Sequence, residues 1–280
     1  MKFLCSYTVG SDKTKLIDKY LTDNTQPTDP VKNKKIKKPS VGPLVGATTE
    51  NVVRIFVAGP KDANPLTEFW RGYIQICRKD DGLFIQKKVF RLHSEYDFTG
   101  AAQFDELEPG TTYNYKCGVK RVLSDTDYVW DKTVEKQLEY SFRTQDYQAS
   151  ETNINLGSCR YVNRTCDVPI GLKASDKTYK QMHTNPIQAD LNIFCGDQIY
   201  GDDTQGFMPD SSWDSFRSKY RDVFTSKHFS KLVSSVPTLM ILDDHEIKDN
   251  FPIGIDKSSP TVMNAMRAYQ SYQVFHSPVY

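Results

Sequence analysis

Two apolar runs in the second half of the chain end, without a gap, in carboxylates. One is Leu191-Asn-Ile-Phe-Cys-Gly-Asp-Gln-Ile-Tyr-Gly-Asp-Asp203, the other Pro237-Thr-Leu-Met-Ile-Leu-Asp-Asp-His-Glu246. Runs of four or five apolar residues bounded by Gly or Pro read as buried strands. Helix-like spacing separates them: Trp213, Phe216, Tyr220, Val223 and Phe224, then Phe229, Leu232 and Val233, within Ser212–Ser234. Strands alternating with helices call for parallel βαβ units, whose strand C-termini share one edge. Ligands bind at that edge in open α/β sheets.

The same half begins with Asn153-Ile-Asn-Leu-Gly-Ser-Cys159, read as strand then turn, and carries a helical pattern at Thr178–Ala189 that Pro186 should bend or restart. Cys159 therefore arrives at the edge that receives Asp197 and Asp244. Gly196 permits a sharp turn before Asp197. Asp243 and Asp244 follow Leu242 directly, and no Lys or Arg occurs before Lys248. Two adjacent carboxylates at a half-buried strand end repel one another, and a cation relieves that repulsion. His245 stands where it can act on a phosphate or leaving-group oxygen. Cys195 lies inside its strand and reads as packing.

The first half is built differently. Val52–Ala58, Gly72–Cys77, Leu83–Leu92, Thr112–Val122 and Leu138–Arg143 read as short strands, and Tyr113–Val119 alternates apolar and polar residues. Such spacing predicts a β-sandwich of about 100 residues. The expected divisions are a flexible basic segment over 1–40, the sandwich over 41–147 and the chemistry-bearing domain over 148–280. Lys13–Thr22 could form a short helix. Lys32, Lys34, Lys35, Lys37 and Lys38 lie in a proline-flanked stretch that reads as a solvated tether.

With 280 residues, 25% charged residues and a net charge of +1, the chain has the profile of a folded protein without a nucleic-acid-binding signature. Six cysteines with no CxxC pair exclude a disulfide scaffold and a zinc ribbon. No apolar run approaches a membrane span. Met1–Gly10 is too short and polar for a secretory signal, so a cytoplasmic location is the default. The sequon Asn163-Arg-Thr165 is read as chance.

Asn155-Leu-Gly-Ser-Cys159, Gly196-Asp-Gln-Ile-Tyr200 and Leu242-Asp-Asp-His-Glu246, taken together and in this order, resemble the alkaline phosphatase D (PhoD-like) metallophosphatases. Tyr220-Arg-Asp-Val-Phe224, Val236-Pro-Thr-Leu-Met240 and Ala268-Tyr-Gln-Ser-Tyr-Gln273 before His276-Ser-Pro278 agree with it. Leu107-Glu-Pro-Gly-Thr-Thr-Tyr-Asn-Tyr115 resembles the turn and strand of fibronectin type III domains.

The resemblance implies a fibronectin III-like β-sandwich followed by part of a metallophosphatase-type α/β/β/α sandwich. It implies a metal-dependent phosphoester hydrolase, with a phosphoester as partner. Asp197 would bridge two metal ions, Cys159 and Tyr200 would hold ferric iron, and Asp244 would bind the second metal, calcium. Manganese and zinc are the alternatives. His245 would act on the phosphate, with Asp243 and Glu246 as supporting or alternative ligands. Secretion or a periplasmic location would also follow from the family.

Enzymes of this kind complete the site with further Asp, Asn and His residues downstream. Residues 247–280 hold one His, His276. The expectation is therefore of a partial site and an incomplete sheet, and the alternative function is that of a catalytically incomplete binding protein.

Overall fold

Alternation along Thr112–Val122 buries Tyr113, Tyr115, Cys117 and Val119, and a sheet grows on that strand. A computed structural model describes residues 35–162, 164–165 (backbone only), 168–202, 211–251 and 258–278. The helix expected at Lys13–Thr22, the sequon at Asn163, and Asp203 lie outside these residues. Seven antiparallel strands form two sheets. The first joins β1 (Val41–Thr48), β2 (Val53–Ala58) and β5 (Thr99–Phe104). The second has the order β4 (Phe84–Leu92), β3 (Phe69–Arg78), β6 (Thr112–Val122) and β7 (Glu139–Arg143). Both sheets feed one core, in which Val45, Ile55 and Val57 pack with Ile74, Tyr115 and Phe142. The Glu108 N–H donates to the Tyr113 hydroxyl at 2.8 Å, tying the Pro109-Gly110 turn to the start of β6.

The flexible reading of 1–40 fails at its end. Ile36 is buried against Tyr73 and Val134, and Lys37 exchanges two backbone hydrogen bonds with Val119 at 2.8 and 2.9 Å. The isolated apolar Ile36 among lysines is what docks it. Two strands escaped the sequence patterns. β1 contains Gly42, Pro43 and Gly46, and β5 begins Thr-Gly-Ala-Ala, so neither shows a bulky alternation.

The second half contains one parallel sheet among the described residues, ordered β12 (Thr238–Ile241), β11 (Leu191–Cys195) and β8 (Ile154–Gly157). A hairpin of β9 (Arg164–Thr165) and β10 (Val168–Pro169) follows β8. Helices α1 (Leu172–Ser175) and α2 (Lys177–Thr184) lead to β11. Helices α3 (Trp213–Phe224) and α4 (Lys227–Val233) lead to β12, and α5 (Pro260–Tyr272) follows. Helix α2 stops at Thr184 because Asn185, which precedes Pro186, is extended. The 212–234 pattern divides at Thr225-Ser226 into two helices, the first capped by Ser212, which accepts from the Ser215 N–H at 3.2 Å.

Register in the parallel sheet is pinned by side chains. Asn192 pairs with Asn155 on one side and Thr238 on the other. Asn155 donates to Asn192 at 2.8 Å, and Asn192 donates to Thr238 at 3.0 Å. A one-residue slip would leave the buried Asn192 amide unpaired. The face carrying Phe194 and Met240 packs on Tyr179, Phe224 and Phe229. The opposite face carries Ile154, Leu156 and Ile241, all exposed.

The two halves share buried contacts. Asp97, after β4, receives Arg221 at 2.7 Å and Arg217 at 2.8 Å, and the Tyr272 hydroxyl also donates to it. The Tyr115 hydroxyl donates to the Ser234 carbonyl at 2.7 Å. Residues 34–280 form one unit by their contacts. No helix among the described residues is long and apolar enough to cross a membrane.

Candidate functional site

The register that aligns Gly157 with Phe194, and Cys195 with Ile241, delivers three loops to one edge. Cys159, Asp197 and Asp244 lie within two or three residues of their strand ends. Cys159 and Asp197 both have left-handed backbones, at φ 55°. Non-glycine residues held there cost about 1–3 kcal/mol, and such strain concentrates at functional sites. Gly196, at φ 82°, precedes Asp197, and a Cβ on it would stand 2.3 Å from the Asp243 Cβ. Glycine is what lets the two acidic loops touch.

Ligand-capable atoms of Asp197, Asp244 and His245 all lie within 4.8 Å of one another. The Cys159 thiol donates to Asp197 Oδ2 at 3.3 Å, and the His245 N–H donates to Oδ1 at 3.3 Å. The Tyr200 ring packs on His245 at 4.1 Å with the planes tilted by 31°, and meets Tyr161 edge-on at 5.0 Å. Burial first, then the charges of Asp197, Cys159 and Asp244, push the Tyr200 phenol well above its ordinary pKa. Five of the residues named from sequence, Cys159, Asp197, Tyr200, Asp244 and His245, are thus gathered at one place. Asp243 is exposed and stands outside the group of three.

Sequence reasoning assigned Glu246 to the supporting set without seeing how it works. Its carboxylate is fully buried. Oε2 accepts the N–H groups of Asp197 and Asp243, both at 3.0 Å. Oε1 accepts the Gln198 N–H at 2.6 Å and the Gln273 amide at 3.1 Å. Burial raises its pKa, and those hydrogen bonds pull back against the rise. Glu246 thereby ties the loop after β11, the loop after β12 and the end of α5 together. A Glu immediately after Asp-Asp-His looks like one more acid, and only the fold turns it inward.

Asp202, at the end of the first acidic stretch, is the partner of His245. His245 Nδ1 lies 3.0 Å from Asp202 Oδ1, and the Asp249 N–H donates to Asp202 Oδ2 at 2.6 Å. Burial alone would lower the His245 pKa. The hydrogen bond to Asp202 and the carboxylates of Asp202, Asp197 and Asp244 outweigh it and raise the value. Asp244 in turn accepts the Asn250 N–H at 2.6 Å.

The donor set fits a metal ion. Carboxylate, imidazole, thiolate and phenolate groups converge, and the described side chains in contact with them supply no cation. A bound ion would reverse the pressure that keeps Tyr200 protonated.

Comparison with known proteins agrees with the motif reading. Residues 173–278 match the PhoD-like phosphatase family. The solved structure of PhoD superimposes with a TM-score of 0.63 at 15% identity, covering 89% of this chain and 48% of that one. At that identity the likeness concerns the fold, and the chain spans about half the length of the PhoD structure. The fourth fibronectin III domain of a human protein (16% identity, 46% of this chain, 92% of that chain) has a TM-score of 0.25. That of human fibronectin type III domain containing protein 3 (12%, 44% and 100%) has 0.27, and neither carries weight. No curated protein sequence matches the chain. The resemblance to the PhoD-like phosphatases therefore rests on ordered motifs, a family match and a shared fold, and it supports a phosphatase-type function.

Proposed function

We propose that the chain is a metal-dependent phosphoester hydrolase, acting on phosphomonoesters or phosphodiesters. The observation that carries this reading is the convergence of Asp197, Asp244 and His245 within 4.8 Å at the C-terminal edge of a parallel sheet. Residues 41–147 serve as a fibronectin III-like support, and 148–280 as part of an α/β/β/α catalytic domain. Asp197, Cys159, Tyr200 and Asp244 would hold the metals, ferric iron with calcium, or manganese or zinc in their place. Bound metal supplies Lewis acidity toward a phosphoryl oxygen.

The chain's own residues supply the rest. Asp202 holds Nδ1 of His245, and Nε2, 3.8 Å from Asp249 Oδ1, is the ring atom left to serve the substrate. The hydrogen bond to Asp202 and the facing carboxylates raise the His245 pKa, which favours a ring proton that can pass to a leaving-group oxygen. Glu246 fixes the spacing between the Asp197 and Asp244 loops. Tyr200 packs against His245 with the rings tilted by 31° and limits its rotation.

Elemental analysis and hydrolysis of a chromogenic aryl phosphate test the reading. Stoichiometric metal and turnover are expected, both lost in Asp197→Ala and Asp244→Ala. Turnover retained by metal-stripped protein or by either variant rejects it. One observation favours a second reading, a catalytically incomplete binding protein: the sheet face with Leu156 and Ile241 is uncovered. A folded chain without stoichiometric metal would support that reading.

A further inference from the structure

A groove of about 580 Å³ opens beside α1, the start of α2 and the start of α4. Lys173, Lys177, Lys180, Lys227 and His228 line it, with Ile170 as an apolar lip. Among the described residues none of the four lysines has a carboxylate within ion-pair distance. The one acid in the wall, Asp176, is buried and already engaged. It accepts from Ser226 at 2.9 Å and from the N–H groups of His228 and Phe229 at 2.7 and 3.0 Å, and it faces Arg160 at 3.5 Å. Its charge is spent inside the wall, so the charged groups that the groove presents, beside the apolar Pro169, Ile170 and Leu172, are cationic. Burial first, then His183, Lys227 and Lys180, lower the His228 pKa against the pull of Asp176, consistent with a positive local field.

A lysine face is ordinarily just solvated, and two observations set this one apart. First, Lys177 and Lys180 are three apart on one helix without a free acid to offset their repulsion, and both are exposed along the same groove. Second, the groove is joined to the candidate site. In a parallel βαβ unit the connecting segments leave from the strand C-terminal edge, so these helix starts lie on the edge that carries Asp197. Arg160 makes the join. Its N–H donates to the Asp197 carbonyl at 2.7 Å, while its guanidinium donates to Ser226 at 2.6 Å and Val223 at 3.0 Å. It lies over the Tyr179 and Phe229 rings at 4.5 and 4.7 Å. The residue after Cys159 thus reaches Ser226 and Asp176, two residues of the groove wall.

We infer that this groove is a second anion site, which takes a further phosphate group of a substrate carrying more than one. The assignment to a substrate rests on the phosphoester reading above, whereas the binding itself does not.

Calorimetric titration of metal-free protein with tripolyphosphate tests the groove. The parent chain and Asp197→Ala are expected to bind alike, and the combined Lys177→Gln, Lys180→Gln, Lys227→Gln variant at least about tenfold more weakly, the difference shrinking at high salt. The matching lysine-to-arginine variant should retain binding, since charge is what the groove supplies. Binding that the glutamine variant keeps, or that Asp197→Ala loses, overturns the assignment. With metal restored, the glutamine variant should raise KM for an aryl phosphate bearing a second phosphate by about fivefold or more, leaving KM for p-nitrophenyl phosphate unchanged. An equal change for both overturns the substrate role. If neither compound is hydrolysed, the phosphoester reading falls and with it the substrate role, while calorimetry still decides the groove.

Discussion

Glu246 Oε2 accepts the backbone N–H of Asp197 at 3.0 Å, across a gap of 49 residues in the chain. The same oxygen accepts the Asp243 N–H, so one buried carboxylate sets the distance between the two acidic strand ends. The arrangement is a positioning device. The side chains that face the candidate ion are aimed by hydrogen bonds made one layer beneath them, as ligands in metal sites commonly are.

Glu246→Gln should therefore damage the site without touching it directly. An amide cannot accept from three backbone N–H groups and the Gln273 amide with the same two atoms, so at least one buried donor loses its partner. That costs about 1–3 kcal/mol. Metal affinity should fall by about 10–100-fold, as for other supporting residues. Urea unfolding and a metal titration on the same sample check both. Unchanged affinity with lowered stability would reduce Glu246 to a structural role.

Asp97 is the corresponding anchor between the halves. Arg221 and Arg217 both reach its buried carboxylate, and Tyr272 donates to it from α5. Asp97→Ala strands the two guanidiniums, and loss of one partner of a buried pair costs about 3–5 kcal/mol. The midpoint of thermal unfolding should fall while tripolyphosphate binding by the surviving folded fraction stays as it was. A variant as stable as the parent would mean that solvent already screens the pair.

The contrast between Asp197 and Asp97 explains how much was legible in advance. Asp197 could be found because it ends an apolar run after a glycine, and parallel strands bring such ends together whatever the details. In the sandwich, β2, β3, β4, β6 and β7 were visible as short apolar runs, with clear alternation along β6, whereas β1 and β5 were not. Asp97 sits in a Tyr-Asp-Phe-Thr stretch with no period, and its partners lie 120 and 124 residues away. Long-range pairing of polar side chains leaves no local pattern. Glu246 and Asp202 lay within the motifs, yet their roles depend on which way one turn of backbone faces. The break at Thr225-Ser226 was hidden because apolar spacing continues through both helices.

His276 should give the protein an acid limb of its own. The imidazole is fully buried beside Phe56, and neither ring nitrogen has a hydrogen-bond partner among the described residues. Burial, then the nearby Arg54 charge, lower its pKa from the ordinary 6.5 to about 3. A folded value below the unfolded one means that the unfolded chain takes up the proton first. Stability from this residue is whole above about pH 6.5 and falls as the pH drops toward 3, with a slope approaching about 1.4 kcal/mol per pH unit. Urea midpoints measured from pH 7.5 to 4.5 should decline less steeply in His276→Leu than in the parent. Parallel declines would assign the acid sensitivity to other groups.

The uncovered face of the parallel sheet yields the last expectation. Strands of such sheets are normally buried on both sides. Here Phe194, Met240 and Asn192 point into the core, while Ile154, Leu156 and Ile241, at 52, 69 and 53% exposure, point the other way with Ile193 between them. β8 and β12 are also the two outer strands, so the apolar face runs to both edges of the sheet. At raised concentration this 280-residue chain should bind a hydrophobic dye and sediment as a concentration-dependent oligomer. Ile154→Lys with Leu156→Lys should abolish both effects. Because the two side chains are exposed, unfolding free energy should change by no more than about 0.5 kcal/mol. A parent chain that stays monomeric and dye-negative would mean that the face is covered in solution. The double substitution would then destabilise the fold, because it would place two charges beneath that cover.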